Sequence, residues 1–209
     1  MHSMQGKQTI RIVEVGARDG LQNETAPVPT EAKIAFVDAL SCTGVDEIEV
    51  SAFVSPRWVP QLGDAEEVFR RISRRQDVAY SALVPNEKGL ERALEVKVDK
   101  VSVFTAASET FNRKNINATI AESFERFAPV MRRAREAHLP VRGYVSTAFW
   151  CPYEGSVAPE KTAEVVERHR RPKLDKDEWL VVKSWLDRLP VEIVEQRERL
   201  LLAQAWVEY

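Results

Sequence analysis

The chain has 209 residues, 44% of them hydrophobic, with 30 lysines and arginines against 32 aspartates and glutamates and a formal net charge of −2. This is enough for one substantial core or two small domains, and the near balance of charge, with no aromatic-studded basic stretch before residue 168, excludes a nucleic-acid footprint. No apolar run approaches the ~18–20 residues of a membrane span, residues 1–7 lack the apolar region of a secretory signal, and Cys42 and Cys151 stand in no disulfide or zinc-type spacing. The expectation is a cytoplasmic protein without nucleic-acid or membrane partners.

Short β-branched runs at 11–15, 47–50, 78–83, 100–104 and 141–146 read as strands. Helical patterns lie between them. The clearest covers 120–138, where Ile120, Phe124, Phe127, Met131 and Ala134 recur at helical spacing with arginines and glutamates on the other faces. Others start near Thr30, whose hydroxyl can cap a helix, near Asn86 and near Pro159. Five repeats of strand then helix predict an α/β fold with a parallel sheet, because each crossover returns the chain to the same end of the sheet.

The chemistry gathers at the strand ends. The first strand runs into Arg18-Asp19-Gly20-Leu21-Gln22-Asn23-Glu24. Gly16 and Gly20 would let the backbone turn sharply, so that Asp19 reaches a metal while Arg18 faces a substrate carbonyl; the alternative is a strand-end turn held by an Arg–Asp surface pair. The second strand carries Glu49 and leads into Ser51 through Gln61, and the fourth leads into Thr105-Ala106-Ala107-Ser108-Glu109 and the polar stretch 112–117. The dinucleotide fingerprint and the phosphate loop are both missing after the first strand, and polar residues at C-terminal strand ends are where α/β barrels build active sites.

Together these segments resemble the 3-hydroxy-3-methylglutaryl-CoA lyases of the metal-dependent barrel superfamily that includes isopropylmalate and homocitrate synthases. The Arg18–Glu24 motif is shared in part across that superfamily. The stretches 53–61, 106–109, 115–117 and 142–146 are similar to the lyase branch in particular, with Ser55-Pro56-Arg57-Trp58 favouring it over a condensing synthase. The resemblance covers about residues 9–168, roughly the first half of such a lyase. It implies a partial TIM-type (β/α) barrel of about five βα units over 1–168. It also implies cleavage of an acyl-CoA substrate to acetyl-CoA and acetoacetate, as in leucine degradation and ketone-body metabolism, and a divalent cation, Mg²⁺ or Mn²⁺, as cofactor. By the same resemblance Asp19 is the metal ligand and Arg18 stabilises the enolate forming on the thioester oxygen. Glu49 is the second carboxylate, holding Arg18 or a metal-bound water, and otherwise an exposed residue of an alternating strand. Gln22 is a hydrogen-bond partner of substrate or a polar residue at a helix entry.

Beyond Arg168 the resemblance stops. Residues 169–209 read as a helical tail, with segments near 175–189 and 191–207 split by Pro190. A His-x-His pair and a catalytic cysteine loop are missing: His2, His138 and His169 stand apart as structural or solvated residues, His138 suiting a helix C-terminus. Cys151 in Cys151-Pro152-Tyr153 belongs to the fifth-strand loop and is not assigned as the catalytic thiol, and Trp58 and Pro60 are expected to pack a loop. The activity of this chain alone is therefore doubtful, and an inactive truncated or fused fragment, binding or interacting at most, is the rival reading. Two open sheet edges and an apolar inner face would favour a homo-oligomer.

Overall fold

The structure is a computed structural model that describes residues 10–174, with side chains over 10–167. The proposed tail segments 175–189 and 191–207 and His2 lie outside the described residues, as does the side chain of His169. The strands are β1 (Val13–Glu14), β2 (Glu47–Ala52), β3 (Ala79–Leu83), β4 (Lys100–Ala106) and β5 (Val141–Ser146), in the order β1-β2-β3-β4-β5 in one sheet. Where register is given the pairs are parallel: Val13 opposite Glu47, Glu47 opposite Ala79, and Ser81 opposite Lys100. The connecting helices are α1 (Thr30–Leu40), α2 (Ala65–Arg71), α3 (Glu87–Glu95), α4 (Glu109–Ile116) and α5 (Ile120–Glu136), and α6 (Pro159–Leu174) follows β5. Five parallel strands with helical crossovers make a partial (β/α) barrel, as the strand–helix alternation predicts.

The chain divides into two compact units, Met1–Val103 with Glu125–Gly143, and Phe104–Phe124 with Tyr144 onwards. In the first, alternate residues of the sheet (Ile48, Val50, Tyr80, Ala82, Val101, Val103 and Val141) pack with Ile34 and Val37 of α1, Val68 and Phe69 of α2, Leu90 and Ala93 of α3, and Phe127, Val130 and Ala134 of α5. That layer is the hydrophobic core, and burying each of its larger side chains contributes about 1.5–3 kcal/mol. Gly89 opens the first turn of α3 because a Cβ there would lie 2.8 Å from the Phe53 carbonyl oxygen. Asn86 caps the same helix, accepting from the Gly89 N–H at 2.9 Å.

The opposite face of the sheet is not the apolar surface expected. It carries Glu47, Glu49 and Ser51 of β2, Ser81 of β3, Lys100 and Ser102 of β4 and Arg142 of β5. Glu47 is buried and holds Lys100 Nζ at 2.6 Å and both terminal nitrogens of Arg142 at 2.8 Å. Burial alone would push the Glu47 carboxyl up; Lys100, Ser81 and Arg142 outweigh it and hold it below the usual carboxylate value. Small Ser81 on β3 leaves room for side chains of β2 and β4 to meet across it. The expectation failed because β2, β4 and β5 each carry their polar residues on one register, where they satisfy one another.

Several local expectations change. Thr30 does not cap α1; its hydroxyl donates to Asp64 Oδ2 at 2.7 Å, and Pro29 precedes the helix. The helix read over 120–138 ends at Glu136. His138 follows with φ of +52°, its N–H donating to the Arg135 carbonyl while Leu139 N donates to that of Ala134, so a Schellman turn places it. Lys97, with φ of +55°, closes α3 by the same pair of bonds to Leu94 and Ala93. Trp58 does not pack its loop: it is 79% exposed, and Pro60 is exposed as well.

In the second unit the polar stretch after β4 is helix α4, capped by Ser108 Oγ accepting from Phe111 N at 3.0 Å and ended by left-handed Asn117. The hairpin β6 (Trp150–Cys151) with β7 (Gly155–Ser156) follows β5. Cys151 is buried beside Ala107 and Val157, with its Sγ 3.1 Å from Ser108 Oγ and accepting from Tyr153 N at 3.4 Å. Burial raises its thiol pKa, but Ser108 and the Tyr153 and Glu154 backbone outweigh this and bring it below the ordinary thiol value. Full burial suits a structural thiol.

Candidate active site at the end of the first strand

β1 gives way to a π-helical turn, Gly16–Gly20. The Val15 carbonyl accepts from the N–H groups of Arg18 at 3.1 Å and Asp19 at 2.7 Å, and Asn23 Nδ2 donates to the Asp19 carbonyl at 2.7 Å. Buried Ala17 pins the turn to the core. Neither flanking glycine adopts a positive φ, so the turn does not draw on their backbone freedom. A Cβ at Gly16 would lie 2.8 Å from Glu14 Oε1, the oxygen that accepts from the Gly16 N–H, so the end of that flexible side chain would have to shift.

With the turn fixed, Arg18 folds back over the sheet. Its Nε donates to Glu49 Oε1 at 2.5 Å and its Nη1 to Asp19 Oδ1 at 2.6 Å. The Arg18 side chain is 14% exposed and that of Glu49 is 0%, which removes the reading of Glu49 as an exposed strand residue. Ser102 Oγ donates to Glu49 Oε2 at 2.5 Å. The register of β2 on β3 slips between Glu49 and Ser51, an irregularity of the kind that re-aims side chains beside sites. The Arg18 Nη2 group makes no hydrogen bond among the described residues, so two donors of a fixed planar fork stay available to an incoming oxygen.

Asp19 is 56% exposed on its side chain. Gln22 sits half-buried just past the turn, and its amide has no protein partner among the described residues. The fold thus brings Arg18, Asp19 and Glu49 into one connected group and leaves Gln22 beside it. A divalent cation of the Mg²⁺ type takes six oxygens in near-octahedral geometry. Asp19 alone does not make such a site, and among the described residues no group of three His, Cys, Asp or Glu side chains converges to hold a metal. Sequence reasoning missed Ser102. The one signal was a serine inside the apolar run Val101-Ser102-Val103, two residues from Lys100 and so on the same face.

Arg18 and Asp19 thus stand just past β1 with buried Glu49 of β2 beneath them, on the side of a (β/α) barrel where active sites are built. Residues 9–171 match the HMGL-like family, and the chain belongs to that family. It is 51% identical over 161 residues to the hydroxymethylglutaryl-CoA lyase of Pseudomonas mevalonii, an alignment covering 77% of this chain and 54% of that protein. Among solved structures, the HMG-CoA lyase of Brucella melitensis superposes with a TM-score of 0.77 at 45% identity, over 85% of this chain and 66% of that one. An HMG-CoA lyase from Acinetobacter baumannii in complex with coenzyme A and 3-methylmalate gives 0.75 at 31% identity, over 94% and 71%. The chain spans about half the length of the curated relatives it matches.

Proposed function

We propose that this chain carries the carbonyl-activating half of a carbon–carbon lyase that cleaves 3-hydroxy-3-methylglutaryl-CoA to acetyl-CoA and acetoacetate. The observation that supports it most is the Arg18 fork, locked from behind by buried Glu49 and from the side by Asp19, with Nη2 left for substrate. In the cleavage the tertiary hydroxyl gives its proton to water, its electron pair forms the ketone of acetoacetate, the electrons of the broken carbon–carbon bond move onto the thioester oxygen, and the enolate so formed takes a proton from water at carbon to leave as acetyl-CoA. Arg18 Nη2 would meet that oxygen as its charge grows. A donor aimed at developing charge stabilises the transition state more than the bound substrate. Gln22 would orient the acyl chain through its free amide.

The divalent cation, Mg²⁺ or Mn²⁺, would use Asp19 as one carboxylate ligand; since one carboxylate is not a site, no step here runs through it. The division at residue 168 into half-barrel and tail is part of the proposal, and so is a place in the cytoplasm, where some of the related lyases act while others are mitochondrial. The shortage of metal ligands favours one second reading, an inactive binding module. Acetoacetate release from HMG-CoA, with and without Mg²⁺ or Mn²⁺, separates them. The expected turnover is far below the enzyme median of ~10 per second and is abolished by Arg18→Ala. Turnover within about tenfold of that median would overturn the account of a deficient site, and no release at any cation concentration favours the module.

A further inference from the structure

Glu47 and Glu49 lie two residues apart on β2, and Lys100 and Ser102 lie two apart on β4. Each glutamate reaches across β3 to its own partner: Glu47 to Lys100, Glu49 to Ser102. The registers place Glu49 opposite Ser81 and Ser81 opposite Lys100, so both contacts run one step diagonally forward, as the stagger of barrel strands allows. The two rungs share a geometry and differ in the donor that β4 supplies. In the lower rung that donor is the Lys100 cation, and Arg142 adds a second to the same carboxylate. In the upper rung a hydroxyl holds Oε2 at 2.5 Å and brings no charge, while Arg18 Nε takes Oε1 at 2.5 Å.

We propose that Ser102 is a positioning residue of the carbonyl-activating site, fixing the Glu49 carboxylate so that its charge is directed at Arg18 and the guanidinium plane is held with Nη2 towards substrate. A lysine in its place would compete with Arg18 for the carboxylate, and an apolar residue would remove the donor that fixes Oε2 at 2.5 Å from a fully buried carboxylate. Ser102 is itself buried, and its hydroxyl also lies 3.4 Å from the Ala82 carbonyl, which restricts its rotation. The assignment rests on the lyase reading for its chemistry, but its geometry can be measured without turnover.

The test compares wild type with Ser102→Ala and Ser102→Thr in the full chain. The readout is the exchange rate of the Arg18 Nε–H with water, followed by nitrogen-15 NMR with the resonance assigned by its loss in Arg18→Lys. Ser102→Ala is expected to speed that exchange by about tenfold, the scale of one hydrogen bond to a charged group, and Ser102→Thr, which keeps the hydroxyl, to restore it. Where acetoacetate release is measurable, the alanine variant lowers kcat with KM changed less than about twofold, since the aligned fork matters most in the transition state. Arg18 exchange unchanged in folded Ser102→Ala overturns the role, even in an active enzyme. Absence of acetoacetate from wild type removes the lyase reading alone and leaves the exchange comparison to decide on Ser102. Should Ser102→Ala fail to fold, Ser102→Cys, of similar size and a weaker donor, takes its place, with an intermediate rate expected and a wild-type rate refuting.

Discussion

Replacing Glu47 by Gln keeps the shape of the side chain and removes the charge that Lys100 and Arg142 share. Taking one partner from a buried ion pair costs about 3–5 kcal/mol. Here the Lys100 and Arg142 side chains are 19% and 24% exposed, so water recovers part of the loss, and a cost of about 2–3 kcal/mol is expected. With a urea m-value of ~2 kcal/mol/M this lowers the unfolding midpoint by about 1–1.5 M at pH 7. The pH dependence has a definite sign. The Glu47 carboxyl titrates below the unfolded value in the folded chain, so its stabilisation is complete above about pH 4.3 and is lost as pH falls through the folded value. The gap between wild type and Glu47→Gln in urea midpoint should hold from about pH 7 to pH 5 and narrow below that. A gap under about 0.3 M at pH 7, or one with no narrowing down to about pH 2, would refute the assignment of Glu47 as the carboxylate that holds this face together.

In any longer protein that shares residues 1–168, Arg18→Lys should cost about 10²-fold in turnover with little change in KM, because lysine lacks the planar fork; a raised KM at unchanged turnover would remove the enolate role. Lys97→Gly and His138→Gly should each stabilise the chain by about 1 kcal/mol in urea unfolding, since both residues hold left-handed φ that glycine adopts freely. Sedimentation at micromolar concentration should show a homodimer or larger assembly, because among the described residues β1 and β5 end the sheet order and unpaired strand edges recruit other chains; a single compact monomer counts against it.

The five strands of the parallel sheet and four of the helix starts can be read from the sequence, because β-branched runs alternate with long amphipathic segments, whereas the short β6–β7 hairpin cannot. The ends are harder. The usual stop signal is a glycine in the left-handed position, and here Lys97 and His138 occupy it, so α5 reads two residues too long and the turn that ends it is invisible. The π-helical turn is hidden for a related reason. Gly16 and Gly20 suggest flexibility, whereas neither adopts a positive φ and the turn is held by the Arg18 and Asp19 N–H groups donating to the Val15 carbonyl. Helix α4 was masked by its polarity: Asn112 is buried and donates to the Ala118 carbonyl at 3.0 Å, a contact that no local pattern announces.

At the site, the motif supplied Arg18, Asp19 and Gln22 because they are neighbours in one turn. Ser102 lies 53 residues from Glu49 and Arg142 lies 95 from Glu47, beyond any local spacing rule. A physical clue was still present. A parallel sheet covered on both faces by apolar layers reads as continuous hydrophobic runs, yet β2 alternates as Glu47-Ile48-Glu49-Val50-Ser51. In a parallel setting that alternation does not mark a solvent-facing side; it marks a polar inner layer, whose members must find partners on other strands or stay unsatisfied. β4 answers it with Lys100 and Ser102 at the same spacing and β5 with Arg142. The complementarity of those strands, two acids against a cation, a hydroxyl and a second cation, separates the rung that holds the sheet together from the rung that aims Arg18.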